Sequence, residues 1–255
     1  MKQENTNPSV ALIVRVTGMS GLSLAEALKK PSIAGGPWKV YGASRRSPSS
    51  WFPSSLVHHF TSFDALDAIN TVQKLSPLSG QITHVFFVAF QVVKSEEINI
   101  SRISTMFRNV LDVLTTSTTA ARPSPLRHIS LQTGTKHYMG PIFDPSLAGK
   151  LVRHESPFRE ESPRLLYPNF YYAFEDVVAS YSKYLTYSVH RSSIVVGASS
   201  RSVRNLLLTV AVYAGVCKQQ GLPFRYPGIN RKNTFRKCSK CSISGKSLQF
   251  NKILF

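Results

Sequence analysis

The feature that most constrains this chain is the run VALIVRV (Val10 to Val16), followed at once by TGMSG and then by LSLAEALKK. A continuous apolar run broken by one arginine reads as a central strand of a parallel sheet, buried on both faces. The helical pattern after the turn stops at Pro31. Strand and helix signals go on alternating. WKVYGAS (Trp38 to Ser44) reads as a second strand, LVHHF (Leu56 to Phe60) as a third and THVFFVAF (Thr83 to Phe90) as a fourth. LRHISLQ (Leu126 to Gln132) is a fifth and TYSVHR (Thr186 to Arg191) a sixth. Helical patterns cover Phe63 to Leu75, Glu96 to Thr115, Phe170 to Tyr184 and Ser202 to Gln219. This alternation predicts an α/β fold: a Rossmann-like, doubly wound parallel sheet with helices on both faces.

The organisation follows from the same reading. A polar stretch over residues 1–9 is expected to be flexible, residues 10–228 form one domain, and a basic irregular tail occupies 229–255. The segment Phe143 to Leu166 is polar, contains proline and lacks periodicity, so a loop over the site is expected there. The apolar run LLLTVAVYAGVC (Leu206 to Cys217) is too short to span a bilayer and reads as a buried helix. With 42% hydrophobic residues the chain has material for a sizeable core, which excludes a disordered class.

Net charge is +18, and seven of those positive charges (Arg231, Lys232, Arg236, Lys237, Lys240, Lys246 and Lys252) lie in the acid-free tail. Such an excess suits a solvated basic surface, nucleic acid, a membrane surface or a polyanionic ligand such as a phosphorylated cofactor. No aromatic–basic interleaving accompanies it, so neither nucleic acid nor membrane is expected as a partner. Three cysteines cannot staple a chain of this length, and the amino terminus carries no apolar signal core. A cytoplasmic location is the expectation. Cys238 and Cys241 offer zinc too few ligands and lack the strand–helix context of a redox pair, so no metal is expected.

Two separated segments carry the chemistry. SLQTGTKHYMGP (Ser130 to Pro141) puts Lys136 just after the fifth strand, and YPNFYYAFEDV (Tyr167 to Val177) puts Tyr171 at the head of the next helix. A lysine ammonium beside a tyrosine lowers the phenol's pKa and aims its O–H at a developing oxyanion. No tyrosine here has a lysine four positions later, so such a pair must be assembled from two segments. Taken singly, Lys136 reads as a surface lysine and Tyr171 as a packed aromatic. Their joint placement outside the carboxyl ends of the strands, where open α/β sheets bind ligands, favours catalysis.

The turn after the first strand has the register Arg15-x-x-Gly18-x-x-Gly21. Small residues there would let a pyrophosphate approach a helix N-terminus, although a plain tight turn also explains them. Arg15 would crowd such a phosphate or reach it from the side. Past the second strand stand Arg45 and Arg46 with no acid, which favours a 2′-phosphate over bare ribose hydroxyls. A solvated basic loop is the alternative reading.

At these residues the chain resembles the progesterone 5β-reductase/iridoid synthase family of plants, atypical extended short-chain reductases. The matching strings include ALIVRVTGMSGLSLAEALK, PWKVYGASRR, LRHISLQTGTKHYMGP and SPRLLYPNFYYAFED. The resemblance implies that Lys136 and Tyr171 are catalytic, that NADPH is the cofactor and that an enone or enal is reduced at its C=C bond. It implies cofactor contacts from Thr17, Gly18, Met19, Arg45 and Arg46, with Asp64 and Ala65 near adenine. Ala89, Phe90 and Gln132 would lie along the middle, and Val195, Ser202 and Val203 at the nicotinamide end. A catalytically impaired NADP(H)-binding remnant is the alternative function, and a homodimer stays open. The family's first turn glycine is Arg15 here, and its HRPGNIFG segment is HRSSIVVG (His190 to Gly197). Family chains continue past Pro227-Gly228, so the carboxyl-terminal substrate region is expected to be largely missing.

Overall fold

The structure, a computed structural model, describes residues 8–116, 124–142, 144–197, 199 and 205–225. Its centre is a six-stranded sheet in the order β3-β2-β1-β4-β5-β6, with every pairing parallel. The strands are β1 (Ser9–Val14), β2 (Trp38–Ser44), β3 (His59–Ser62), β4 (His84–Phe87), β5 (His128–Gly134) and β6 (Thr186–Ser192). Helices α1 (Met19–Leu28), α2 (Ala68–Ser79), α3 (Glu96–Thr115), α4 (Lys136–Met139), α5 (Phe170–Ser180) and α6 (Leu206–Gln219) complete it.

The apolar run of β1 works as its pattern demands. Successive side chains point to opposite faces. Leu12 and Val14 join one core with Phe87, Phe107, Leu131 and Phe174, whereas Ala11 and Ile13 join a second with Leu24, Ala25, Leu28, Val40 and Phe86. The first core lies under α2, α3 and α5, the second under α1, so helices cover both faces. In the first core Phe87, Phe107 and Phe174 meet at ring-centre distances of 4.5, 5.6 and 5.4 Å, tilted or edge-on as ring quadrupoles prefer.

The structure adjusts several sequence boundaries. The third strand begins three residues later than expected, at His59, because its register is set against β2 (Tyr41 opposite His59, Ser44 opposite Ser62). Ser54–Leu56 instead forms a 3-10 turn. Helix α2 starts at Ala68, where the Asp67 side chain accepts from Asn70 N at 2.9 Å and caps it. The last predicted helix is present over Leu206–Gln219, capped by Asn205, but it is not buried. Only Cys217 is buried on it, while Leu207, Leu208, Val212 and Val216 are all about half exposed or more. Among the described residues no element lies along its apolar surface, and hydrophobicity without a facing partner cannot bury a helix. The tail, including Cys238 and Cys241, lies outside the described residues, as does Phe143.

Candidate active site

A cavity of about 570 Å³ opens at the carboxyl ends of the strands. It straddles β1 and β4, where the strand order reverses and open α/β sheets place their ligands. Its wall contains Thr17, Gly18, Met19, Arg45, Arg46, Asp64, Ala65, Ala89, Phe90, Gln132 and Val195. Every sequence-expected cofactor residue that the structure describes is therefore on this wall; Ser202 and Val203 lie outside the described residues. A smaller cavity of about 80 Å³ adjoins it and shares Gln132, Ile194 and Val195, reaching Ser130, His190 and Ser192 on β5 and β6.

The turn at the cavity floor is built by close approach. A Cβ on Gly21 would stand 2.3 Å from the carbonyl oxygen of Arg15 and 2.7 Å from Val16 Cα, so only glycine lets α1 lie this close to β1. Arg15 has φ 72°, the only non-glycine residue with positive φ among those described. That is the backbone of a glycine position, occupied by a side chain that must project into the crevice. The amides of Arg15 and Val16 both donate to Ala43 O, at 2.7 and 3.0 Å, which pins the turn to β2. The Arg15 guanidinium lies over the Phe90 ring, 4.9 Å from its centre. Burial pushes its pKa down.

Lys136 and Tyr171 line neither of these cavities, but one side chain ties their two segments together beyond the end of β5. Asn169 caps α5: its Oδ1 accepts from Tyr171 N at 3.0 Å, and its Nδ2 donates to Lys136 O at 3.1 Å. Tyr171 lays its hydroxyl against the end of β5, where a Cβ on Gly134 would meet it at 2.8 Å. Gly134 is thus the residue that makes room for the phenol. Lys136 donates from Nζ to Glu96 Oε2 at 2.5 Å and sits over the Phe170 ring at 4.5 Å. Glu96 Oε1 accepts from Phe170 N at 2.7 Å. One carboxylate at the start of α3 therefore joins α4 and α5. Sequence reasoning missed Glu96; the available signal was an acid in the first turn of the longest helix, in a chain with only 13 acids.

The other charged and aromatic residues of the two signature segments hold structure. Glu175, whose side chain is 10% exposed, receives Arg191 Nε and Arg164 Nη2, each at 3.2 Å, and faces His137 Nδ1 at 3.3 Å. Burial would raise the Glu175 pKa, but hydrogen bonding from His137 and the charge of Arg191 outweigh it and hold the carboxyl below its usual range. Arg191 also donates to Tyr138 Oη and to the Glu160 carbonyl, each at 3.0 Å. Tyr138 stacks on Phe158, and Tyr172 Oη receives Leu165 N at 2.9 Å. These contacts pin the segment after α4 to α4, α5 and β6. None of its residues lines the large cavity. Among the described residues no cluster of three His, Cys, Asp or Glu could hold a metal, and no helix is long and apolar enough to cross a membrane.

A parallel sheet in this order, a crevice at its switch point and a tight Gly-containing turn beneath it define a Rossmann-like fold. The solved structure of the Bordetella bronchiseptica enzyme WbmH with NAD+ has the same fold, at TM-score 0.55 and 15% identity, covering 84% of this chain and 63% of that one. No protein-family model matches the chain. Curated relatives are more specific. The chain is 44% identical over 222 residues to the (S)-8-oxocitronellyl enol synthase of Catharanthus roseus, covering 86% of this chain and 54% of that protein. It is 43% identical over 226 residues to the 3-oxo-Δ(4,5)-steroid 5β-reductase of Arabidopsis thaliana, covering 88% and 55%. Over this shared stretch the chain is similar to plant 8-oxocitronellyl enol synthases and to a steroid 5β-reductase. It spans about half the length of the curated relatives it matches.

Proposed function

We propose that this chain carries the cofactor site and the catalytic pair of an NADPH-dependent reductase of activated C=C bonds, acting on an enone or enal. The observation that supports this most is the 570 Å³ cavity, which gathers the expected cofactor residues and includes Gln132 on β5, two residues before the Gly134 against which Tyr171 lays its hydroxyl. The residues fit the cofactor in two respects: Gly21 gives the close helix–strand approach a pyrophosphate turn needs, and Arg45 and Arg46 offer a 2′-phosphate two cations. When bound, NADPH supplies hydride for the substrate's β-carbon.

The chain's own residues do the rest. Tyr171 Oη donates a hydrogen bond to the substrate oxygen as enolate charge develops there. Lys136 supplies a cation that favours the phenolate form of Tyr171, and Glu96 fixes the lysine's position while offsetting part of its charge. By their names, the relatives act on a 3-oxo-Δ(4,5)-steroid or yield an 8-oxocitronellyl enol, and carbonyl-activated alkenes of these two sizes are the substrates to try first.

Tyr171→Phe should lower turnover about a hundredfold or more while changing NADPH affinity little. Equal loss of both would remove the assigned role. No NADPH consumption by the native chain across a panel of small enones, beside an active relative, would sink the reductase reading. One observation, Arg15 lying across the crevice, favours a second reading in which the chain binds NADP(H) without turnover. Thermal stabilisation by NADPH with no enone-dependent oxidation would establish that case.

A further inference from the structure

Arg15 is the first residue past β1, and Phe90 lies just beyond β4. These neighbouring strands flank the switch point, so the Arg15–Phe90 contact crosses the middle of the crevice. It divides the wall. On the β2–β3 side stand Arg45, Arg46, Asp64 and Ala65; on the β5–β6 side stand Gln132 and Val195. The side chain has little choice of route. Its backbone is held left-handed by the two amides on Ala43 O, and by Gly18 N donating to Arg15 O at 3.0 Å. A Cβ on Gly18 would be 3.5 Å from both Arg15 Cγ and Nε, so the stem lies over the first turn of α1. That turn is where a dinucleotide would have to lay its pyrophosphate. Among the described residues no carboxylate pairs with the guanidinium, and burial disfavours its charge.

We propose that Arg15 on Phe90 is a gate across the crevice, so that the native chain binds the phosphorylated adenosine half of the cofactor on the β2–β3 side and gains little from the nicotinamide half. This rests on the reading of the cavity as an NADP(H) site. An adenosine 2′,5′-bisphosphate brings only its 5′-phosphate up to the Arg15 stem and leaves the guanidinium on Phe90. The whole dinucleotide has to lift the guanidinium off Phe90 and spends binding energy in doing so.

Isothermal titration of the full chain with adenosine 2′,5′-bisphosphate and with NADPH tests the gate. The native protein should bind the two within about threefold of each other. Arg15→Gly should tighten NADPH by about tenfold or more and leave the bisphosphate within about threefold. Arg15→Asn, whose short side chain tolerates the left-handed backbone, should behave likewise and guards against a folding artefact of the glycine. The gate is overturned if native protein already prefers NADPH by about tenfold, or if both variants leave that preference unchanged. Weaker NADPH binding in both variants also overturns it, and makes Arg15 a phosphate hook. Failure of either ligand to bind any of the three proteins overturns the cofactor reading and the gate together.

Discussion

The β5–α5 region and the β1–β4 end of the crevice treat buried charge in opposite ways. At the β5–α5 end each buried charge has a partner: Lys136 has Glu96, and Glu175 has Arg164, Arg191 and His137. At the β1–β4 end Arg15 has an aromatic ring and, among the described residues, no acid. Charges paired inside the protein act as architecture, whereas a cation held only against an aromatic ring is bound less firmly and can be displaced. The lesson is that one end is preorganised for chemistry while the other is crossed by an unpaired cation that must be lifted off its ring before a whole dinucleotide can enter.

The largest test of that contrast is Glu175→Ala, which strands Arg191 and His137 without their shared carboxylate. It should cost about 3 kcal/mol of folding stability, read from denaturant midpoints, and loosen the segment after α4. A loss within about 0.5 kcal/mol would mean the cluster is not architectural.

Next comes a set of histidines below the crevice. Burial, with His128 and Arg127 adding to it, pushes the His84 pKa from 6.5 to about 4. Burial also lowers His128, and burial with the charge of His128 lowers His190. Each folded-state pKa lies below the unfolded value, so the unfolded chain binds more protons as pH falls beneath 6.5. Stability is therefore complete above that pH and is lost towards pH 4, by about 2 kcal/mol for His84 after allowing for its partial exposure. Melting temperature should drop across this window, and His84→Asn should flatten the drop.

Glu96→Gln sharpens the comparison at the catalytic end. The amide still accepts from Phe170 N, but Lys136 loses its counter-charge and acts on Tyr171 undiminished. The apparent pKa governing turnover should move to lower pH by about one unit. An unchanged pH profile would make Glu96 merely structural. The smallest effect is on the stability of Arg15→Gly. Releasing a side chain from left-handed backbone and from a desolvated setting should stabilise the apo protein by about 1 kcal/mol in chemical denaturation. Destabilisation would show that the Phe90 contact outweighs both costs.

Much of the fold is legible along the chain because its signals are local. The double-faced apolar run of β1 and the 3.6-residue pattern of α3 each report their own burial, and α3 spans Glu96–Thr115 as read. The expected wall is legible for a related reason: most of it lies just past β1, β2, β3, β4 and β6, with Gln132 inside β5, so finding the strands finds the wall. Helix α6 marks where this fails. Its composition is among the most apolar in the chain, yet burial depends on a second surface that its own sequence does not encode.

The sequence by itself determined the order of elements, the glycine demanded at Gly21 and the two segments that had to meet. Tertiary structure alone decided that Asn169 joins those segments, that Glu96, forty residues from Lys136, holds its ammonium, and that Arg15 lies on Phe90. The division has a physical reason. Strand and helix periodicity follow from side-chain geometry over a few residues, whereas a charge's partner is fixed only when separate elements pack and exclude the water that would otherwise have satisfied it.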